Sequence, residues 1–117
     1  MAIVDLPVDA AAGWVSTGIV MRSGDTIHLT ASGLASPNVS PPAGGPDGDG
    51  STCPVACLAN VAGSRYALVG HIGSQEFIVG SDSIITAQVT GTLELGFNDH
   101  LGSYGDNNGG FTVNSVP

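Results

Sequence analysis

From Thr26 to Ala31 apolar and polar residues alternate without a break. Ile27, Leu29 and Ala31 fall on one face, and Thr26, His28 and Thr30 on the other. A period of two marks a strand with one buried face. Related patterns recur along the chain. Trp14–Val20 alternates loosely, Tyr66–Ile72 is an apolar run, and Glu76–Val79 and Ser83–Val89 are shorter ones. Thr92–Phe97 sends Leu93, Leu95 and Phe97 one way and Glu94 the other, while Phe111–Val116 puts Phe111 and Val113 on one face. Residues 1–13, Ala-rich with Pro7, read as a leading strand or loose arm. Turn residues such as Arg22-Ser23-Gly24-Asp25 separate the runs. Roughly seven short strands with turns at this spacing predict an all-β chain, a small antiparallel β-sandwich or jelly roll.

One stretch breaks the pattern. Residues 36–54 hold most of the Pro and much of the Gly, and Cys53–Gly63 continues in the same manner. Strand patterns flank it on both sides, so it reads as a long loop inside one domain, residues 1–117. Loops of this length in a compact domain are functional or disordered. Composition agrees, with 18 Gly and 7 Pro and apolar positions that are mostly Val, Ile and Ala.

Charge narrows the partners. Arg22 and Arg65 are the only Lys or Arg against ten Asp and Glu, giving a net charge of −8. That balance excludes nucleic acid and disfavours anionic membranes, and it suits a basic partner or a divalent cation. No apolar run approaches the roughly 18 residues needed to span a bilayer, so no membrane insertion is expected. The N-terminus has neither a basic n-region nor an apolar h-region, so no signal peptide is expected. Cys53 and Cys57 are too few for a disulfide framework; a local disulfide and two free thiols both stay open.

The densest chemistry lies between Phe97 and Phe111. Asn98–Asn108 carries two carboxylates, three carboxamides and a serine within eleven positions. Gly102, Gly105, Gly109 and Gly110 let the backbone fold back and turn carbonyls inward. Calcium takes roughly six to eight oxygens from such groups in flexible geometry. The hard-oxygen bias favours Ca2+ over zinc or copper. It is not an EF-hand, because the bidentate Glu and the flanking helices are missing.

The stretch Phe97-Asn98-Asp99-His100-Leu101-Gly102-Ser103-Tyr104-Gly105-Asp106-Asn107-Asn108-Gly109-Gly110-Phe111-Thr112-Val113-Asn114 resembles the C-terminal calcium-and-sugar loop of the LecA-type (PA-I) galactophilic bacterial lectins. Upstream, Ser23-Gly24-Asp25-Thr26-Ile27, Gly33-Leu34-Ala35-Ser36 and Ala67-Leu68-Val69-Gly70-His71-Ile72-Gly73 are similar to further family segments in the same order. The resemblance covers nearly the whole chain and weakens over residues 38–63. It implies a galactose-binding-domain-like sandwich in which Asp99, Asp106 and Asn107 hold calcium by their side chains. Ser103 and Pro37 would add main-chain carbonyls. Two neighbouring sugar hydroxyls would complete the shell, with Asp99 and Asp106 accepting their hydrogen bonds. In the family a His and a Gln of the middle loop hold the exocyclic hydroxyl. Here Pro46–Cys53 has neither, and Asp47, Asp49 and Thr52 are the polar side chains that stand in for them. His100 takes the place of an apolar residue at the sugar rim. The implied partners are galactose-containing glycans, met outside the cell or at a cell surface. A homo-oligomer, dimer or tetramer, would restore avidity to individually weak sites.

The remaining residues have plainer readings. His28 falls on the polar face of a strand, His71 on a strand surface, and Trp14 in the core or an interface. Tyr104 reads as a packing anchor, and Asp47 and Asp49 as a solvated turn rather than a second ion site. There is no Gly-x-Ser-x-Gly elbow and no Cys/His pair that sequence brings together, and the two loop carboxylates are committed to the ion, so no enzyme is expected. The leading expectation is a calcium-dependent, galactose-type lectin. Its rivals are a calcium-stabilised structural or adhesion module and an accessory carbohydrate-binding domain of a larger secreted protein.

Overall fold

The computed structural model describes residues 3–116, so Met1 and Ala2 of the leading segment, and Pro117, lie outside the described residues. Eight strands form: β1 (Leu6–Asp9), β2 (Val15–Met21), β3 (Thr26–Ser36), β4 (Leu68–Ile72), β5 (Gln75–Ile78), β6 (Asp82–Thr86), β7 (Gly91–Phe97) and β8 (Asn108–Val116). They pair antiparallel into two four-stranded sheets, ordered β1-β8-β3-β6 and β2-β7-β4-β5. The all-β sandwich read from the alternation is the fold adopted.

Alternation places one set of side chains between the sheets. Val8, Ile27, Leu29, Ile85, Phe111 and Val113 come from the first, and Ile19, Leu68, Ile72, Leu93, Leu95 and Phe97 from the second. Each buried side chain of this size contributes about 1.5–3 kcal/mol. Phe97 stacks on Tyr66 at 6.0 Å between ring centroids and leans on Phe111 at 5.9 Å, so it ties the sheets together where the Asn98 loop departs. On the outer face of the first sheet, His28 is half-buried rather than free in solvent, with Nε2 2.6 Å from Asp82 Oδ1. On the second, His71 lies 2.7 Å from Glu94 Oε1, and Trp14 meets its ring edge-on at 4.4 Å.

Two strands are longer than the alternation indicates, and both extensions lead to the loop. β3 runs past Ala31 to Ser36, and β8 starts at Asn108, ahead of Phe111. At Gly33 the backbone has φ +107°, and a Cβ there would stand 2.6 Å from the Gly110 carbonyl oxygen. Close approach of the two backbones, which only glycine permits, continues the pairing after the side-chain pattern has lapsed. The last pair is Ser36 with Asn108. One step beyond it, Pro37 follows the end of β3 and Asn107 precedes the start of β8.

Residues 37–67 contain no strand and make only isolated bridges, through Gly44, Asp47, Ala67 and Cys57. Cys53 and Cys57 form a disulfide, which settles the alternative left open above. Among the described residues no helix is long and apolar enough to cross a membrane.

Candidate functional site

The chain leaves the sandwich at Phe97 and turns at once. Asn98 is fully buried, and Asp99 is only 3% exposed. The Asp99 carboxylate is held by one oxygen: Oδ1 accepts the His100 N–H at 2.7 Å. Tyr104 anchors the turn, as its sequence position indicates. Its hydroxyl donates to the Phe97 carbonyl at 2.7 Å and accepts the Asp99 N–H at 3.3 Å. A single 3-10 turn, Tyr104–Asp106, then closes when the Asn107 N–H reaches the Tyr104 carbonyl at 3.1 Å. Asn107 donates through Nδ2 to the Ala10 carbonyl at 2.8 Å, which fixes the orientation of its amide.

Two oxygens emerge from this arrangement with nothing to bind. Asp99 Oδ2 and Asn107 Oδ1 are buried and make no hydrogen bond. Buried polar atoms in folded proteins are nearly always paired, and a lone carboxylate oxygen is the costliest exception. A hard cation that takes oxygen ligands is one kind of partner that relieves such a deficit. Ser103 and Asp106 stand exposed on the turn that joins the two residues, and Pro37 follows Ser36 beside Asn107. Among the described residues no three of His, Cys, Asp and Glu come together as a group that could hold a metal ion. The remaining oxygens beside these carboxylates are the Asn107 amide and main-chain carbonyls.

The other expected sugar contacts fare differently. His100 is half-buried, its Nε2 is enclosed without a partner, and its backbone pairs with Cys57, so it is not an exposed rim residue. Asp47 accepts from the N–H and hydroxyl of Ser81, at 2.8 and 3.1 Å. Asp49 takes Nε and Nη2 of Arg65 at 2.9 and 2.7 Å, and the Arg65 hydrogen bond holds its carboxyl below the usual carboxylate value. Thr52 accepts the Gly63 N–H at 2.9 Å. Pro37 and Asp49 share a cavity of about 230 Å³ with Pro41, Ala43 and Tyr66, whereas Thr52 lines a separate one. Asp47, Asp49 and Thr52 thus each hold a partner within the protein, and of the three Asp49 lines the cavity that Pro37 also lines.

Asn98 has a role that the sequence did not reveal. Counted there among the loop's oxygen donors, it fastens the middle loop instead. Its Oδ1 accepts the Ala59 N–H at 2.8 Å, and its Nδ2 reaches Ser64 Oγ at 2.8 Å. Nothing in its spacing distinguishes it from Asn107.

The Tyr104 hydroxyl gives the turn a titration. Burial pushes its pKa up to about 12; the nearby Asp99 carboxylate adds to the rise, and the Asp99 hydrogen bond opposes it. A raised phenol value means that the folded state keeps its proton longer than the unfolded chain. The stabilisation is therefore complete below about pH 10 and is lost as pH climbs towards 12. In chelator, urea midpoints measured between these limits should fall for the parent and fall less steeply for Tyr104→Phe. Parallel curves would contradict the buried hydroxyl.

Comparison with known proteins agrees with this architecture. The profile of the PA-IL-like protein family matches residues 4–116. Lectin A of Photorhabdus laumondii subsp. laumondii is 35% identical over 115 residues, spanning 95% of this chain and 87% of that protein. A solved structure described as the EclA N-terminal domain, a PllA-like lectin, is similar with a TM-score of 0.77 at 28% identity, over 98% of this chain and 96% of that one.

Proposed function

The chain belongs to the PA-IL-like protein family, and from that premise we propose that it is a calcium-dependent lectin recognising galactose or galactosides. The observation that carries the reading is the pair of buried, unpartnered oxygens, Asp99 Oδ2 and Asn107 Oδ1, on the loop that the resemblance assigns to the ion. Asp99, Asp106 and Asn107 would hold calcium through side chains, with Ser103 and Pro37 adding carbonyls. The ion would supply a positive centre with coordination positions left for two neighbouring sugar hydroxyls. Asp99 and Asp106 accept hydrogen bonds from those hydroxyls, and charge-assisted bonds of this kind are about twice as strong as neutral ones. A single sugar on so shallow a site binds weakly, with a Kd of about 10–1000 μM.

The decisive measurement is calorimetric titration with galactose, in calcium and again in chelator. Heat only in calcium supports the reading. Heat of equal size in chelator would overturn the role of the ion. One observation favours a second reading, a calcium-stabilised structural or adhesion module: Asp47, Asp49 and Thr52 are all occupied within the protein. That module would show a calcium-dependent rise in melting temperature and no heat with any monosaccharide.

A further inference from the structure

The disulfide lies directly behind the candidate ion site. Ala56–Leu58 runs antiparallel to Asp99–Leu101: the Leu58 N–H donates to the Asp99 carbonyl at 3.1 Å, and the Leu101 N–H to the Ala56 carbonyl at 3.1 Å. Between them Cys57, 1% exposed, pairs with His100. Asn98 clamps the next turn of the same segment through Ala59 and Ser64, and its Nδ2 also reaches the Ser64 carbonyl at 3.2 Å. Residues 53–64 have no strand or helix of their own. The covalent bond to Cys53 and the contacts with Asn98–Leu101 hold the middle of this strap, while the N–H groups of Asn60 and Gly63 tie its far end to Glu76 and Thr52. Asp99–Leu101 also presents the Asp99 carboxylate, whose Oδ1 accepts the His100 N–H.

We propose that the Cys53–Cys57 disulfide is a positioning element of the ion site and makes that site redox-sensitive. The proposal rests on the calcium reading given above. A dithiol reductant attacks the half-buried Cys53 sulfur as a thiolate and forms a mixed disulfide that releases Cys57. Its second thiol then attacks the reductant's own sulfur in the mixed disulfide, which releases Cys53 and closes a cyclic disulfide. Two electrons and two protons have passed to the protein, leaving two cysteine thiols and a cyclic disulfide. A ring spanning a sequence separation of only 4 restrains little of the unfolded chain, so the fold survives its opening. What is lost is the fixed edge against which Asp99–Leu101 pairs. Groups that orient metal ligands from behind typically change metal affinity by about 10–100-fold when removed.

The test uses the full chain oxidised, reduced with dithiothreitol, re-oxidised, and as Cys53→Ser, which leaves the buried Cys57 in place. Calcium titration should show at least about tenfold weaker binding after reduction and in the variant, with recovery on re-oxidation of the parent alone. Equal calcium affinity in the oxidised and reduced forms overturns the proposal. Amide exchange in chelator supplies a readout independent of the ion. The Leu58 and Leu101 amides should exchange faster after reduction while those of β3 and β8 do not change. Unchanged exchange at Leu58 and Leu101 overturns the strap. Faster exchange throughout makes the bridge merely structural and overturns it as well. An oxidised protein that binds no calcium, yet has these two amides loosened by reduction, would instead sink the ion reading and leave the strap standing.

Discussion

An Asp99→Asn variant is expected to melt in chelator at the parent's temperature or slightly above it, and to gain nothing when calcium is added. The two halves of this result have one cause. Asp99 is 3% exposed, and only Oδ1 is hydrogen-bonded. In the ion-free protein the charge is therefore a liability, because a buried carboxylate with an unmatched oxygen loses hydration without a full replacement. Asparagine keeps the oxygen that accepts the His100 N–H and removes the charge. With calcium present the sign reverses for the parent. An ion that binds only the folded state stabilises it by about 2.7 kcal/mol at a hundredfold excess over its Kd. Losing a carboxylate ligand should weaken that binding by more than the roughly 100-fold seen when supporting groups are removed. The check is a pair of thermal melts, with and without calcium, for each protein. A variant that gains as much as the parent from calcium removes Asp99 from the site. A variant that collapses in chelator makes Asp99 a structural residue instead.

The loop was legible because its candidate donors are local. Asp99, Ser103, Asp106 and Asn107 lie close together in sequence, and such local donor sets are visible as spacing. The sandwich was legible for a similar reason, since Ile27, Leu29, Leu93 and Leu95 record their inward face in a period of two. What the sequence concealed depends on contacts between distant segments. Pro37 is named by the resemblance and not by its spacing; it follows Ser36 at the end of the β3–β8 pairing, and glycine at position 33 leaves no hydrophobic trace of that pairing. Asn98 differs from Asn107 only by its partners: Ala59 and Ser64 in one case, a lone Ala10 carbonyl and an unoccupied oxygen in the other. The middle loop was opaque for the same reason. Asp47, Asp49 and Thr52 stand where the resemblance places sugar contacts, but Ser81, Arg65 and Gly63 had to be located before their hydrogen bonds could be assigned.

The second large effect separates backbone strain from steric contact at the loop glycines. Gly105 has ordinary φ and open space around a built Cβ, Gly102 has φ +86° and open space, and Gly109 has φ +78° with the Leu34 carbonyl and Pro42 pressed against it. Substituting alanine should therefore give a graded series. Gly105→Ala should change stability by less than about 0.5 kcal/mol. Gly102→Ala should cost about 1–2 kcal/mol, the strain of a left-handed L-residue. Gly109→Ala should carry the same strain plus about 1–3 kcal/mol of overpacking, because its Cβ would lie 2.7 Å from Pro42 Cγ. The neighbours are not free to yield: Ala35, next to Leu34, exchanges both backbone hydrogen bonds with Gly44, at 2.8 and 3.1 Å. The combined loss corresponds to a fall in melting temperature of about 10–20 °C for a domain of this size. Whatever movement does occur separates the ends of β3 and β8, and with them Pro37 and Asn107. Calcium affinity should consequently drop for Gly109→Ala and hold for Gly105→Ala. If Gly109→Ala costs no more than Gly102→Ala, the strand ends can shift without strain, and the rigid placement of Pro37 beside Asn107 is lost as an account of the site.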